Sequence, residues 1–157
     1  MTLDALLDAF ILIKTPAQAH VWLTTMIVAG LACWRGDRPE RIAVPLVLLN
    51  WVVTGLVDQI FWRGETWGVV LIDGLLFAGL YFLALRYPRW WIHGAAAFAL
   101  LTFLSHFAAM LDSSIVRWAN VTLRYVTSYG LLLALAAGAI EAPWARRYEA
   151  WRSRVLA

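Results

Sequence analysis

Four ionisable residues interrupt apolar stretches of the sequence: Asp58, Asp73, His106 and Arg124. A charged side chain inside a bilayer is costly, so such residues usually mark a binding or transport function or a specific contact between helices. Two carboxylates and a guanidinium can form ion pairs, relay protons or bind an ion, and an imidazole can bind a metal.

The composition predicts that the elements that hold these side chains are membrane helices. The chain has 157 residues, of which 62% are hydrophobic and 15% are charged, with ten Trp and a mean hydropathy of +0.70. Soluble domains carry about 25% charged residues, so the chain belongs to the integral membrane class. The length suits one helical domain, residues 1–157. We attribute the net charge of +3 to basic loops that orient the chain, and not to nucleic-acid binding.

Five apolar stretches separated by turn signals predict an all-α bundle of five transmembrane helices. The predicted spans are about 16–34, 41–62, 67–86, 88–111 and 115–140, each near the roughly 20 residues that cross ~30 Å of hydrocarbon. Pro45 is expected to kink the second span or to mark a later start. Short interfacial amphipathic helices are predicted at both termini, about 2–14 and 143–157. Anionic lipid is the expected partner of the basic C-terminal tail.

Basic residues in the loops predict the orientation, because cytoplasmic loops carry an excess of Lys and Arg. One side of the predicted topology receives nine basic residues: Arg35, Arg38, Arg41, Arg86, Arg89, Arg146, Arg147, Arg152 and Arg154. The other side receives three: Lys14, Arg63 and Arg117. We therefore expect the N-terminus outside and the C-terminus in the cytoplasm, in a bacterial-type inner membrane.

The intramembrane polar residues are predicted to lie at one depth. A helix rises 1.5 Å per residue, which places Asp58, Asp73, His106, Arg124 and His20 about 6 to 10 Å below the outer ends of their spans. Asn120 lies on the same helical stripe as Arg124. The candidate binding or ion-pair cluster is therefore composed of six residues from five spans: Asp58, Asp73, His106, Arg124, Asn120 and His20.

Three functions are compatible with such a cluster. The leading hypothesis is a non-catalytic accessory or interaction protein, in which Arg124 pairs with Asp73 or Asp58 and keeps the helices in register. The first alternative is a small transporter, channel or proton-conducting subunit that uses these three residues. In either case the protein would be embedded in the lipid bilayer, with a membrane-protein partner or as a homo-oligomer.

The second alternative is a membrane redox subunit. His20 and His106 have suitable depths to bind haem b or a divalent metal, but no metal-ligand spacing such as HExxH accompanies them. Cys33 is the single cysteine, which excludes an intramolecular disulfide. The sequence contains no GxSxG, P-loop or GxGxxG motif, so we expect no catalytic residues and no resident cofactor.

Overall fold

The structure is a computed structural model that describes residues 16–57, 67–111 and 117–155. Within these ranges the chain forms α-helices and no strand, which confirms the all-α prediction. The helices are α1 (Pro16–Arg35), α2 (Arg38–Val57), α3 (Trp67–Arg86), α4 (Trp90–Leu111) and α5 (Arg117–Val155). The predicted N-terminal helix 2–14 and the candidate residue Asp58 lie outside the described residues.

Three segments in the described part of the chain are long and apolar enough to cross a membrane, by length and composition. They are Arg38–Val57, Trp67–Arg86 and Val121–Tyr148. The helices are apolar on outward faces as well as inward ones: Leu71, Phe82 and Leu133 are 64%, 69% and 71% exposed. Exposed apolar surface on this scale is typical of a protein that contacts lipid or other proteins.

The helices form a closed ring around a narrow core. Each helix packs against the next one in the chain, α5 also packs against α1, and a smaller contact joins α2 to α5. The bundle has two ends, and we use the name cluster end for the one at which α3 and α5 begin. The opposite end carries the two short connections 36–37 and 87–89, and we call it the turn end.

The first connection explains why α2 begins at Arg38 and not at the predicted residue 41. The Asp37 backbone N–H donates a hydrogen bond to Glu40 Oε2 over 2.8 Å, an N-terminal capping contact that the sequence interpretation missed. A Cβ on Gly36 would lie 2.2 Å from the Ala32 carbonyl oxygen, so only glycine fits this turn. Because α2 starts here, Pro45 lies inside it and does not mark its beginning.

The C-terminal tail is not a separate interfacial helix. Residues 117–155 form one helix of 39 residues with Pro143 inside it, where the sequence predicted a break between 140 and 143. Proline removes one backbone donor, but Ala139 and Ala142 on either side of the affected turn are fully buried. We attribute the continuity to this packing. The helix is about 58 Å long at 1.5 Å per residue.

Glycines let α4 and α5 approach closely. A Cβ on Gly138 would lie 2.6 Å from the ring of Trp91, and one on Gly130 would lie 2.5 Å from the ring of Phe98. Small residues at helix interfaces are the usual means of close packing between membrane helices. This contact, the most extensive between any two of the described helices, holds one wall of the polar site.

Candidate functional site

The centre of the site is the Asp73 carboxylate, on the inward face of α3. Asp73 is only 6% exposed. Asn50 Nδ2 on α2 donates a hydrogen bond to its Oδ1 over 3.0 Å, and His106 Nε2 on α4 lies 2.9 Å from its Oδ2. An ionised carboxylate can only accept hydrogen bonds, and the His106 tautomer with a proton on Nε2 is the one that donates to it. Each carboxylate oxygen thus has a neighbour from a different helix.

Arg124 on α5 supplies the positive charge, but it is more loosely placed. Its Nη2 atom lies 3.8 Å from Asp73 Oδ2, which is an ion pair beyond hydrogen-bond distance. The Arg124 side chain is 33% exposed, whereas that of Asp73 is 7% exposed. We call Asn50, Asp73, His106 and Arg124 the Asp73 cluster. It joins four helices, and the two charges within it balance.

The charged and imidazole side chains of the cluster lie at one level because each is a similar number of residues from the end of its helix. Asp73 comes six residues after the start of α3, His106 five before the end of α4 and Arg124 seven after the start of α5. At 1.5 Å per residue these positions are about 8 to 10 Å from the cluster end. The chain reverses between neighbouring helices, so residues far apart in sequence meet.

A hydroxyl pair extends the polar contacts between α4 and α5. Thr102 Oγ1 donates to Thr127 Oγ1 over 2.7 Å, and Thr127 Oγ1 lies 3.1 Å from the Arg124 carbonyl oxygen. Thr127 is buried. These bonds tie α4 to α5 about one turn from Arg124.

Two adjoining cavities reach the cluster. The central cavity, about 80 Å³, has room for a few waters and is lined by Asn50, Asp73, Thr102 and Arg124 together with apolar residues. A second space, about 220 Å³, lies between α1, α2 and α5, and we call it the Arg124 groove. Both are lined by the same four residues where they meet: Trp51, Thr54, Arg124 and Ser128.

The structure brings together three of the six candidate residues: Asp73, His106 and Arg124. His20 is exposed on α1 and lines neither cavity at the cluster. Asn120 belongs to α5, but its side chain lies outside the described residues, as does Asp58. The closest partners of Asp73 are thus a histidine and an amide, and the Arg124 guanidinium forms an ion pair with it at the longer distance of 3.8 Å.

Asn50 is the one member of the Asp73 cluster that is not among the six candidate residues. The sequence places it one and two turns before Thr54 and Asp58 on the same helical stripe, and that spacing was the available signal. Such a polar stripe is expected to face the bundle interior, because lipid offers polar groups no partner, but Asp58 is the only candidate residue taken from it. Its amide nevertheless contacts the buried carboxylate as closely as the histidine does.

A second group of charges lies at the turn end, and sequence reasoning missed it. Asp37 contacts Arg89 over 3.4 Å and also pairs with Arg146, while Arg89 lies 3.8 Å from Glu141. We call these four residues the turn-end network. It joins both short turns to α5, through partners 52 and 109 residues apart in sequence.

No metal site is evident in the described ranges. Within them, no group of three or more His, Cys, Asp or Glu side chains could hold a metal ion. The imidazole of His106 is also engaged by Asp73, while His20 faces outward. The arrangement is suited to fixing helices or to binding a charged group next to Arg124.

Similarity to known proteins adds no assignment to these residues. No protein-family model matches the chain, and no curated protein or solved structure matches it either. The function is therefore argued from the contacts of the described residues.

Proposed function

We propose that the chain is a multi-pass protein of a bacterial-type inner membrane, with all five helices spanning the bilayer. Three segments meet the requirements of length and apolarity. Helices α1 and α4, of 20 and 22 residues, complete the same ring and have the length of a span. The basic residues at the turn end support a cytoplasmic location for that end, with the N-terminus outside.

Within the membrane, we propose a non-catalytic accessory or interaction role in which the Asp73 cluster keeps the helices in register. One observation carries this proposal: the buried Asp73 carboxylate contacts side chains from three other helices. A buried charge whose partners come from neighbouring helices penalises any rotation that separates them. The outward apolar faces remain for lipid, a membrane-protein partner or a second copy.

The C-terminal part of α5 supports a contact with anionic lipid at the cytoplasmic surface. Trp144, Tyr148 and Trp151 are more than half exposed, and the Arg147 guanidinium lies 5.9 Å from the centre of the Trp144 ring. Aromatic and basic side chains together favour the headgroup region of an anionic leaflet. This contact would anchor α5 where it extends past the turn end.

Labelling of single cysteines tests the proposed topology. In a Cys33→Ala background, Arg38→Cys lies at the start of α2 and Ala119→Cys lies in the first turn of α5, and both positions are exposed. We expect a membrane-impermeant maleimide to label Ala119→Cys in intact spheroplasts and Arg38→Cys only in inverted vesicles. Cys33→Ala alone is the blank. Labelling of both cysteines from one side would overturn the five-span topology.

A second candidate function is binding or translocation of a charged species. The observation in its favour is that the central cavity reaches both Asp73 and Arg124 and adjoins the Arg124 groove. If Asp73 serves translocation, a variant of Asp73 should keep its free energy of unfolding and lose ion passage in proteoliposomes. If Asp73 keeps the helices in register, the same variant should lower the free energy of unfolding.

A further inference from the structure

The Arg124 groove combines a cation with an apolar wall. Its residues come from three helices: Gln18, Trp22, Trp51, Thr54, Gly55, Val121, Arg124, Tyr125 and Ser128. Trp22 and Trp51 meet edge to face, with ring centroids 5.9 Å apart. The indoles offer a surface for alkyl chains, and the guanidinium lies where the groove meets the central cavity.

Arg124 has hydrogen-bonding capacity that Asp73 does not use. A guanidinium carries five N–H donors in a planar fork, and its approach to Asp73 is 3.8 Å, too long for a hydrogen bond. One third of the side chain is exposed. Asp73, by contrast, already has Asn50 and His106 on its two oxygens. Among the described residues the fork makes no hydrogen bond, so its N–H donors can receive a second anion.

Thr54 adds an independent sign that a polar ligand belongs here. Its Oγ1 atom is buried and has no hydrogen-bond partner in the described part of the protein. Thr54 lines both the groove and the central cavity, as Ser128 does. A buried hydroxyl without a partner costs free energy, and an anion bound at Arg124 would accept its hydrogen bond.

We propose that the Arg124 groove binds an amphipathic anion of the membrane, a lipid-like phosphate whose headgroup contacts Arg124 and whose alkyl chain packs on Trp22 and Trp51. The fork of arginine matches phosphate oxygens in a bidentate manner, which favours this chemistry over a neutral headgroup. The groove lies between α1, α2 and α5, with the cation and the two indoles on its wall. The proposal shares Arg124 with the Asp73 cluster, whereas Thr54, Trp22 and Trp51 belong to the groove and not to that cluster.

Binding of dodecyl phosphate to the purified full-length protein in a neutral detergent tests the proposal. We expect saturable binding, with a Kd that rises about tenfold to hundredfold in Arg124→Gln, as a lost charge-assisted hydrogen bond implies. Thr54→Val should raise the Kd by a smaller factor. Arg86→Gln, the same change at an exposed arginine on α3, should leave the Kd unchanged.

Three outcomes would overturn the proposal. Equal Kd values for Arg124→Gln and the parent protein would show that the guanidinium does not bind the phosphate. Equal affinity for inorganic phosphate would show that the alkyl chain does not contribute to binding. Full competition by excess neutral detergent would show that the phosphate does not contribute. If Arg124→Gln does not fold, Thr54→Val and Trp22→Ala decide: unchanged Kd values in both would reject the groove. Because Arg124 belongs to both proposals, Thr54→Val and Trp22→Ala separate them: weaker phosphate binding with an unchanged free energy of unfolding concerns the groove and not the register role.

Discussion

Replacing Asp73 by alanine should destabilise the protein more than any other single change in the cluster. The substitution leaves the His106 N–H and the Asn50 amide without their acceptor. Hydrogen bonds between membrane helices contribute about 0.6 kcal/mol on average and up to about 1.7. The bond to His106 belongs near the upper value because it is short, buried and made to a charged group.

The ion pair adds less, since Arg124 is 3.8 Å away and one-third exposed, and solvent screens such pairs to below about 1 kcal/mol. Together these contacts predict that Asp73→Ala lowers the free energy of unfolding by about 2 to 3 kcal/mol. Asp73→Asn should cost less, because the amide retains one acceptor and His106 can accept from its NH₂ group in the other tautomer.

A double-mutant cycle isolates the central contact. Purified protein in mixed micelles would be unfolded with denaturing detergent while Trp fluorescence is recorded, for Asp73→Ala, His106→Ala and the double variant. We expect a coupling energy of about 1 to 1.7 kcal/mol. His93→Ala is the matched control: this histidine lies on the same helix but is exposed, and its Nδ1 lies 3.0 Å from the Arg89 carbonyl oxygen.

The reasoning would be refuted by a coupling energy below about 0.3 kcal/mol, the level at which distant sites add independently. A coupling as large with His93 as with His106 would also refute it, because it would show a general effect of the substitutions. If Asp73→Ala kept full stability, the register role would fail and the binding or translocation candidate would take its place.

Two further changes test the packing and the turn end. Gly138→Ala should lower the unfolding free energy by about 1 to 3 kcal/mol, because its Cβ would lie 2.6 Å from the buried Trp91 ring. Gly94→Ala, whose Cβ meets only an ordinary contact at 3.8 Å, should be tolerated in the same detergent unfolding assay; equal losses would contradict the packing argument. Asp37→Asn should cost about 1 kcal/mol at low salt through its loss of Arg89, and the difference should shrink near 1 M salt. A salt-independent loss would argue against an electrostatic cause.

The helices were predictable where the hydrophobic pattern and the turn residues agree. The third predicted span, 67–86, matches α3 residue for residue. The predicted and observed helix bounds agree less well where a local contact or a buried neighbour determines where a helix begins or whether it continues. The start of α2 depends on the bond between Asp37 and Glu40, and α5 continues through Pro143 because its flanking alanines are buried. Neither effect follows from hydropathy.

The candidate site shows the same division. The common depth of Asp73, His106 and Arg124 was predicted by counting residues, and the structure brings these three together. His20 was predicted at that depth as well, yet it is exposed on α1. Counting gives the height of a residue along its helix, whereas the rotation of the helix decides whether the side chain reaches the core.

The sequence by itself determined that the chain is helical, the approximate helices and the level of the polar residues, because these depend on composition and on the constant rise of a helix. Only the tertiary structure decided that Asn50 contacts Asp73, that Arg124 faces a groove, and that Asp37 meets charges from distant turns. Those pairings depend on the order of the helices around the ring and on how each is rotated. Both are set by the packing of all the helices together, which no local pattern encodes.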